Sequence, residues 1–329
     1  MATNKRETDR SSNRCDPDRP VDNVRCEDVD REGSGKVPEV FRSLDALADL
    51  EAFEVVRVDA KMLADVSDEP VEFSVPDWSD IRSRPVAALR QEGYRPRIRF
   101  RGKELQPAVV LGSDERRTYS DRSYPWGCVC KVITSVGSGS GVIIGPRHVL
   151  TASHVVNWSV PGGVNGTVEV HRAGATVSAV SPIRRVFAYT QVTGTVGWTE
   201  LDEDYAVLEV ADPIGDRFGW LGCRTYSSSW DGDAYWYNVG YPGDVGGAAW
   251  PTWQRSKWLN EHAWDFGSGR AMDTDADINP GNSGGPMFAW WSDGPYAVSV
   301  VSAHDVEDRE NYCSGGSDIV RLVRLARGL

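Results

Sequence analysis

The stretch Asp277-Ile278-Asn279-Pro280-Gly281-Asn282-Ser283-Gly284-Gly285-Pro286 sets one serine among glycines. Glycine lacks a Cβ, so it takes backbone conformations closed to other residues and leaves its N–H groups uncovered. The stretch therefore reads as a tight, exposed turn that presents Ser283. Uncovered N–H groups beside a serine can face the oxygen on which negative charge builds when a carbonyl is attacked. A serine hydroxyl alone is a weak nucleophile, so this reading requires a histidine base and a carboxylate elsewhere in the chain.

Both are present upstream. Gly141-Val142-Ile143-Ile144-Gly145-Pro146-Arg147-His148-Val149-Leu150-Thr151 predicts two short strands joined by a Gly-Pro turn, and His154 follows the second. Asp204 stands directly before the strand-like run Tyr205-Ala206-Val207-Leu208-Glu209-Val210, where it can orient an imidazole and stabilise its cation. Taken singly, each piece has an ordinary explanation: a hairpin turn, a surface histidine, a solvated acidic loop. Their joint occurrence favours a catalytic set.

The motifs Thr151-Ala152-Ser153-His154, Asp204-Tyr205-Ala206-Val207 and Gly281-Asn282-Ser283-Gly284-Gly285-Pro286 resemble those of chymotrypsin-fold serine proteases, in that family's His, Asp, Ser order. The resemblance implies an all-β fold of two six-stranded antiparallel β-barrels with a C-terminal helix and the cleft between the barrels. It implies His154 as base, Asp204 as its orienting partner and Ser283 as nucleophile. It also implies an oxyanion hole from the backbone N–H groups of Gly281 and Ser283. Val110 to Arg116, Gly240-Tyr241-Pro242-Gly243-Asp244 and Trp253 to Lys257 further resemble the bacterial glutamyl endopeptidases. The likeness covers residues 109–329 and is silent on the first hundred.

Three positions then bear on substrate choice. His304 matches the histidine that binds the acidic side chain of substrates in the glutamyl branch. Asp277, six residues before the serine, falls where trypsin-like enzymes specific for Arg or Lys carry an aspartate. Ile278 replaces a hydroxyl residue common in the glutamyl branch, which makes the pocket more apolar. The serine loop also resembles that of HtrA proteases, which prefer small aliphatic residues. Cleavage of protein or peptide substrates after glutamate is the leading expectation; basic and aliphatic preferences stay open. A protease-like binding module without activity, or an esterase, are the readings from other classes, and the intact triad and the motif order oppose them.

The chain of 329 residues is longer than such a domain needs, which allows an accessory segment. Residues 1–36 are polar, of mixed charge and without the apolar stretch of a secretory signal, and are expected to be disordered. That points to the cytoplasm, whereas the resemblance points to secretion. Residues 37–108 are expected to form an accessory region or prosegment able to inhibit the protease. Phe41, Leu44, Leu47, Leu50 and Phe53 recur at helical spacing, and Val55–Val58 and Val71–Val75 read as short strands. The basic run Arg95, Arg97, Arg99, Arg101, Lys103 is either a solvated alternating strand or a linker cut ahead of Val109 or Val110. In the trypsin branch the amine freed by such a cut pairs with an aspartate beside the serine; Asn282 holds that place here.

A net charge of −12 argues against nucleic acid or an anionic membrane as partner. No apolar run approaches the roughly 20 residues that span a bilayer. Among six cysteines, Cys128 and Cys130 share a strand face too far apart to bond, and Cys223 with Cys313 is the best candidate pair. No ligand spacing suggests zinc, so neither a metal nor another cofactor is expected. Thirteen tryptophans favour barrel packing over a stacking platform for ligands. Strands are predicted at 128–134, 141–151, 167–172, 176–187, 204–210, 234–240 and 296–303, and a closing helix over Ser317–Arg327.

Overall fold

The computed structural model describes residues 18–21, 30–33, 53–86, 98–100, 103–105, 113–135, 137–156, 158, 165–261, 268–305 and 310–329. The N-terminal part contributes β1 (Glu54–Arg57), a short helix α1 (Ala60–Ala64), the hairpin β2 (Ile98–Phe100) and β3 (Lys103–Leu105), and β4 (Arg117–Thr118). The first barrel follows as β5 (Val129–Thr134), β6 (Gly137–Gly145), β7 (His148–Thr151), β8 (Gly166–Ala173), β9 (Thr176–Ala188) and β10 (Ala206–Val210). Its order β9-β10-β7-β6-β5-β8 closes because β8 also pairs with β9. Val142, Ile143, Ile144, Val149 and Leu150 are all fully buried, as expected of β-branched and aliphatic runs that fill a small barrel.

After the helix α2 (Ile214–Phe218), the second sheet is built from β11 (Gly222–Cys223), β12 (Trp236–Gly240), β13 (Thr252–Lys257), β14 (Leu259–Glu261), β15 (Gly269–Thr274), β16 (Pro286–Trp290), β17 (Pro295–Asp305) and β18 (Glu310–Gly316). It runs β14-β15-β18-β17-β16-β12-β13-β4, with β11 added alongside β17. The expected second six-stranded barrel is instead a curled half-barrel, since β14 and β4 end the sheet without pairing to each other. The last element, α3 (Ser317–Arg327), buries Ile319, Val320, Leu322 and Val323 and ends at Gly328, which has φ 70°. That left-handed conformation turns the following Leu329 N–H back onto the Arg324 carbonyl at 3.0 Å, while the Gly328 N–H donates to the Leu325 carbonyl at 3.1 Å.

The N-terminal region is seated on the barrels. β1 pairs in parallel with β9, Glu54 opposite Arg185. Phe53, Val58, Leu63 and Val71 are buried in the main core. The strand expected at 55–58 is thus present as β1, whereas 71–75 makes only isolated bridges, Val71 to Cys223 and Ser74 to Trp220. Pro70 and Pro76 flank that stretch and cannot donate to a ladder. The helix expected over 41–53 lies outside the described residues except for Phe53, and most of residues 1–36 do as well.

Cys128, Cys130, Cys223 and Cys313 are all buried free thiols. The expected pairing of Cys223 with Cys313 is therefore corrected: Cys223 packs in the main core and Cys313 in the separate core of the second sheet. Tryptophans do pack the interior. Trp126, Trp236 and Trp291 are among the largest fully buried side chains, and Trp126 meets Trp253 and Phe288 edge-on.

Candidate active site

Strand register brings the first two candidates together. β10 runs antiparallel to β7 with Ala206 opposite Thr151, so the residues just before β10 lie beside those just after β7. His154 sits there in a single 3-10 turn, Ser153–Val155, and Asp204 follows a similar turn, Leu201–Glu203. Asp204 is fully buried, while the His154 side chain is 18% exposed. The Asp204 Oδ1 accepts the His154 backbone N–H at 2.9 Å, and Oδ2 lies 2.6 Å from His154 Nδ1. Ser302, in β17, donates its hydroxyl to the same Oδ2 at 2.5 Å. A carboxylate facing Nδ1 selects the tautomer with the proton there, which leaves the Nε2 lone pair free to act as a base.

The Ser283 loop is bolted to the first barrel by Ser140 of β6. The Ser140 N–H donates to the Ser283 carbonyl at 2.7 Å, and its hydroxyl donates to the Gly281 carbonyl at 2.6 Å. That hydroxyl also accepts the Tyr241 N–H at 2.8 Å, and Thr151 donates to the Ser140 carbonyl at 2.7 Å. Gly139 permits the approach: a Cβ there would fall 2.6 Å from Val155 Cγ2 and 2.9 Å from the Ser283 carbonyl oxygen. The histidine turn and the serine turn thus meet across one glycine.

Gly281 has φ 103°, and a Cβ on it would lie 2.4 Å from the Tyr241 carbonyl oxygen. The Pro280 carbonyl accepts from Gly243 N–H at 2.9 Å. In a trans peptide the N–H opposes the C=O, so this bond fixes the direction of the Gly281 N–H. Among the described residues, the N–H groups of Gly281 and Ser283 have no acceptor, whereas those of Asn282, Gly284 and Gly285 do. Asn282 is buried and accepts the Asn279 N–H through its side chain.

The three specificity candidates are not gathered into one pocket. Asp277 is 1% exposed; its Oδ2 accepts the Glu115 N–H at 2.9 Å, and its backbone pairs with the Gln254 side chain. Ile278 is buried in an apolar cluster with Val301, Val298 and Met272. His304 is half-buried and lines a pocket of about 210 Å³ with Val196, Trp198, Leu201, Ala303 and Tyr312. Beside Ser283 the β17 residue is Val301, whose carbonyl accepts from Gly284 and whose N–H donates to Gly285. Sequence reasoning missed Ser140 and Ser302; the only trace was the glycine-serine alternation at 137–141.

Comparisons with known proteins bear on the fold and its family. The model of the trypsin-like peptidase domain matches residues 139–294, a span that includes His154, Asp204 and Ser283. A curated relative, the glutamyl endopeptidase of Bacillus licheniformis, is 30% identical over 233 residues, which is 66% of this chain and 66% of the relative. This chain therefore spans just under two thirds of that relative's length. A solved Glu endopeptidase superposes with a TM-score of 0.55 at 20% identity, covering 67% of this chain and all of that one, which supports the fold. The chain is thus similar to the trypsin-like peptidase domain across residues 139–294, on a fold shared with the solved Glu endopeptidase.

Proposed function

We propose that the chain is an endopeptidase that hydrolyses peptide bonds through Ser283, His154 and Asp204. The observation that carries this is the buried Asp204 carboxylate, held by His154 from one barrel and Ser302 from the other sheet, beside a serine turn with two unengaged N–H groups. The Ser283 hydroxyl attacks the scissile carbonyl while His154 Nε2 takes its proton. The N–H groups of Gly281 and Ser283 receive the oxyanion. His154 then returns the proton to the leaving amine, and water repeats the sequence on the acyl-enzyme. A fluorophosphonate should label the native protein and leave Ser283→Ala unlabelled. Equal labelling of both, with both folded, would remove Ser283 from the mechanism.

Cleavage after glutamate is the proposed specificity, supported by the glutamyl endopeptidase relative and by the imidazole of His304 in a pocket near the triad aspartate's turn. A second reading, cleavage after an apolar residue, is favoured by the burial of Ile278 against Val301. The bond from Glu115 N–H to Asp277 opposes a basic preference, since that carboxylate oxygen is already engaged. Profiling on a peptide library separates these readings: acidic residues before the cut support the first, aliphatic or aromatic ones the second.

Maturation by cleavage ahead of Val109 or Val110 is proposed as well, because the basic run Arg95 to Lys103 lies just upstream. Four buried core residues and β1 would keep the segment 53–86 attached after such a cut. Mass spectrometry of active enzyme should find two fragments that co-elute; an intact N-terminus in active enzyme would end this reading.

A further inference from the structure

Arg84, Arg117 and Arg255 come from three separate segments, the last described stretch before residue 87, β4 and β13, and they line one open pocket of about 480 Å³. None of these guanidiniums makes a hydrogen bond or ion pair with another described residue. The carboxylate in the wall, Glu115, is already engaged: Lys257 donates to it at 2.6 Å, and this bond, the charge of Lys257 and, to a lesser degree, the charge of Arg117 hold the carboxyl below its ordinary range. Pro85 and Trp253 supply apolar surface. Trp253 is 7% exposed, yet its indole N–H has no acceptor among the described residues. A cationic pocket with an unused buried donor stands out on a chain of net charge −12.

Its natural occupant is anionic. The sequence that links its two sides, residues 87–112, is a poor complement, because its six cations (Arg90, Arg95, Arg97, Arg99, Arg101, Lys103) outnumber its two carboxylates (Glu92, Glu104). Guanidinium forks grip carboxylates through paired, charge-assisted hydrogen bonds. Three forks on separate segments suit carboxylates spaced along a chain better than one compact ion, and Trp253 and Pro85 suit the methylenes between them. The pocket also shares its wall with the segment leading into Ser283, since Gln254 and Glu115 are the residues that hold Asp277.

We propose that this pocket is an exosite for an acidic polypeptide segment of a protein substrate, separate in sequence from the bond that is cut. The proposal rests on the endopeptidase reading and is independent of the residue preferred at the cut. The test uses two peptides with the same cleavage sequence, one carrying a hexa-aspartate tail on a glycine-serine spacer, made with the tail at either end. At low salt one tailed form should show KM lowered about tenfold at constant kcat, the equivalent of one charge-assisted hydrogen bond. The advantage should fade toward about 0.3 M NaCl as screening shortens. The variant R84Q/R117Q/R255Q should lose the advantage while cleaving the tailless peptide like the native enzyme. Equal KM for tailed and tailless peptides, or a tail effect that survives in the triple variant, overturns the proposal.

Binding of fluorescein-labelled hexa-aspartate to Ser283→Ala protein, read by anisotropy, decides the matter without turnover. Loss of binding in the triple arginine variant supports the exosite, and unchanged binding overturns it. If neither peptide is cleaved, the triad chemistry fails and this measurement alone judges the exosite. Displacement by inorganic phosphate at equal concentration, or by a single-stranded oligonucleotide at lower concentration, overturns the assignment to acidic polypeptide.

Discussion

Asp204 collects donors from His154 and Ser302, and the two bonds have separable consequences. Ser302→Ala leaves the imidazole bond in place but removes one donor from a buried carboxylate. A hydrogen bond to a charged group is worth about 1.5–3 kcal/mol, so kcat should fall by about ten- to a hundredfold with little change in KM. Steady-state kinetics on a short peptide checks this, and an unchanged kcat would make the bond dispensable. A second residue, His171, is 1% exposed with φ 41°, and neither ring nitrogen has a partner among the described residues. Burial, aided by the charge of Arg122 and opposed by that of Asp121, lowers its pKa to about 4. The unfolded chain, with an ordinary pKa of about 6.5, binds that proton more readily. Stability from a neutral His171 is therefore complete above pH 6.5 and falls away as pH drops from there through 4, by roughly 3 kcal/mol in total. His171→Asn, which tolerates positive φ, should flatten the acid limb of Tm against pH. The proposed triad was readable from sequence as a candidate set because such chemistry admits few residue types. Ser140 and Ser302 were not, because a strand serine that grips a carbonyl or carboxylate looks like any other. The spacing of Asp277, Ile278 and His304 from Ser283 likewise does not say which wall each one faces.

Among elements, β4 and the residues before it matter beyond their length. Arg116 is buried between Asp114 and Asp244, with its guanidinium 3.0 Å and 2.6 Å from their carboxylates. Burial works to lower the Arg116 pKa, but the hydrogen bonds from both partners outweigh it and the group stays charged. Arg116→Met would strand two carboxylates, and removing one side of a buried ion pair costs about 3–5 kcal/mol. Urea unfolding should show a loss of at least about 3 kcal/mol; a near-neutral effect would mean that the cluster relaxes into water. Strand prediction succeeded where aliphatic and β-branched residues dominate, as in β5 to β10 and β17. It missed β13 (Thr-Trp-Gln-Arg-Ser-Lys) and β18 (Glu-Asn-Tyr-Cys-Ser-Gly-Gly), whose own composition is poor in strand formers. β13 is a strand because β12 and β4 flank it, and β18 because β15 and β17 do, information that lies far away in the sequence.

For the whole molecule, two-barrel architecture was foreseen through motif resemblance, whereas the open second sheet and the seating of residues 53–86 were not, since both depend on which distant edges meet. Three contacts between the halves reach furthest at this scale. Asp204 belongs to the first barrel and Ser302 to the second sheet, while Ser140 of the first barrel holds both Gly281 and Ser283. Under the proposed mechanism, activity is a coincidence detector for the mating of the two halves. In a urea titration, turnover should disappear before far-ultraviolet circular dichroism does, because the halves can part while each keeps its sheet; superimposed curves would show that they unfold as one. The same logic makes any molecule that spans the cleft a staple. It binds only the mated form, and at a hundred times its Kd it adds about 2.7 kcal/mol to that form by mass action.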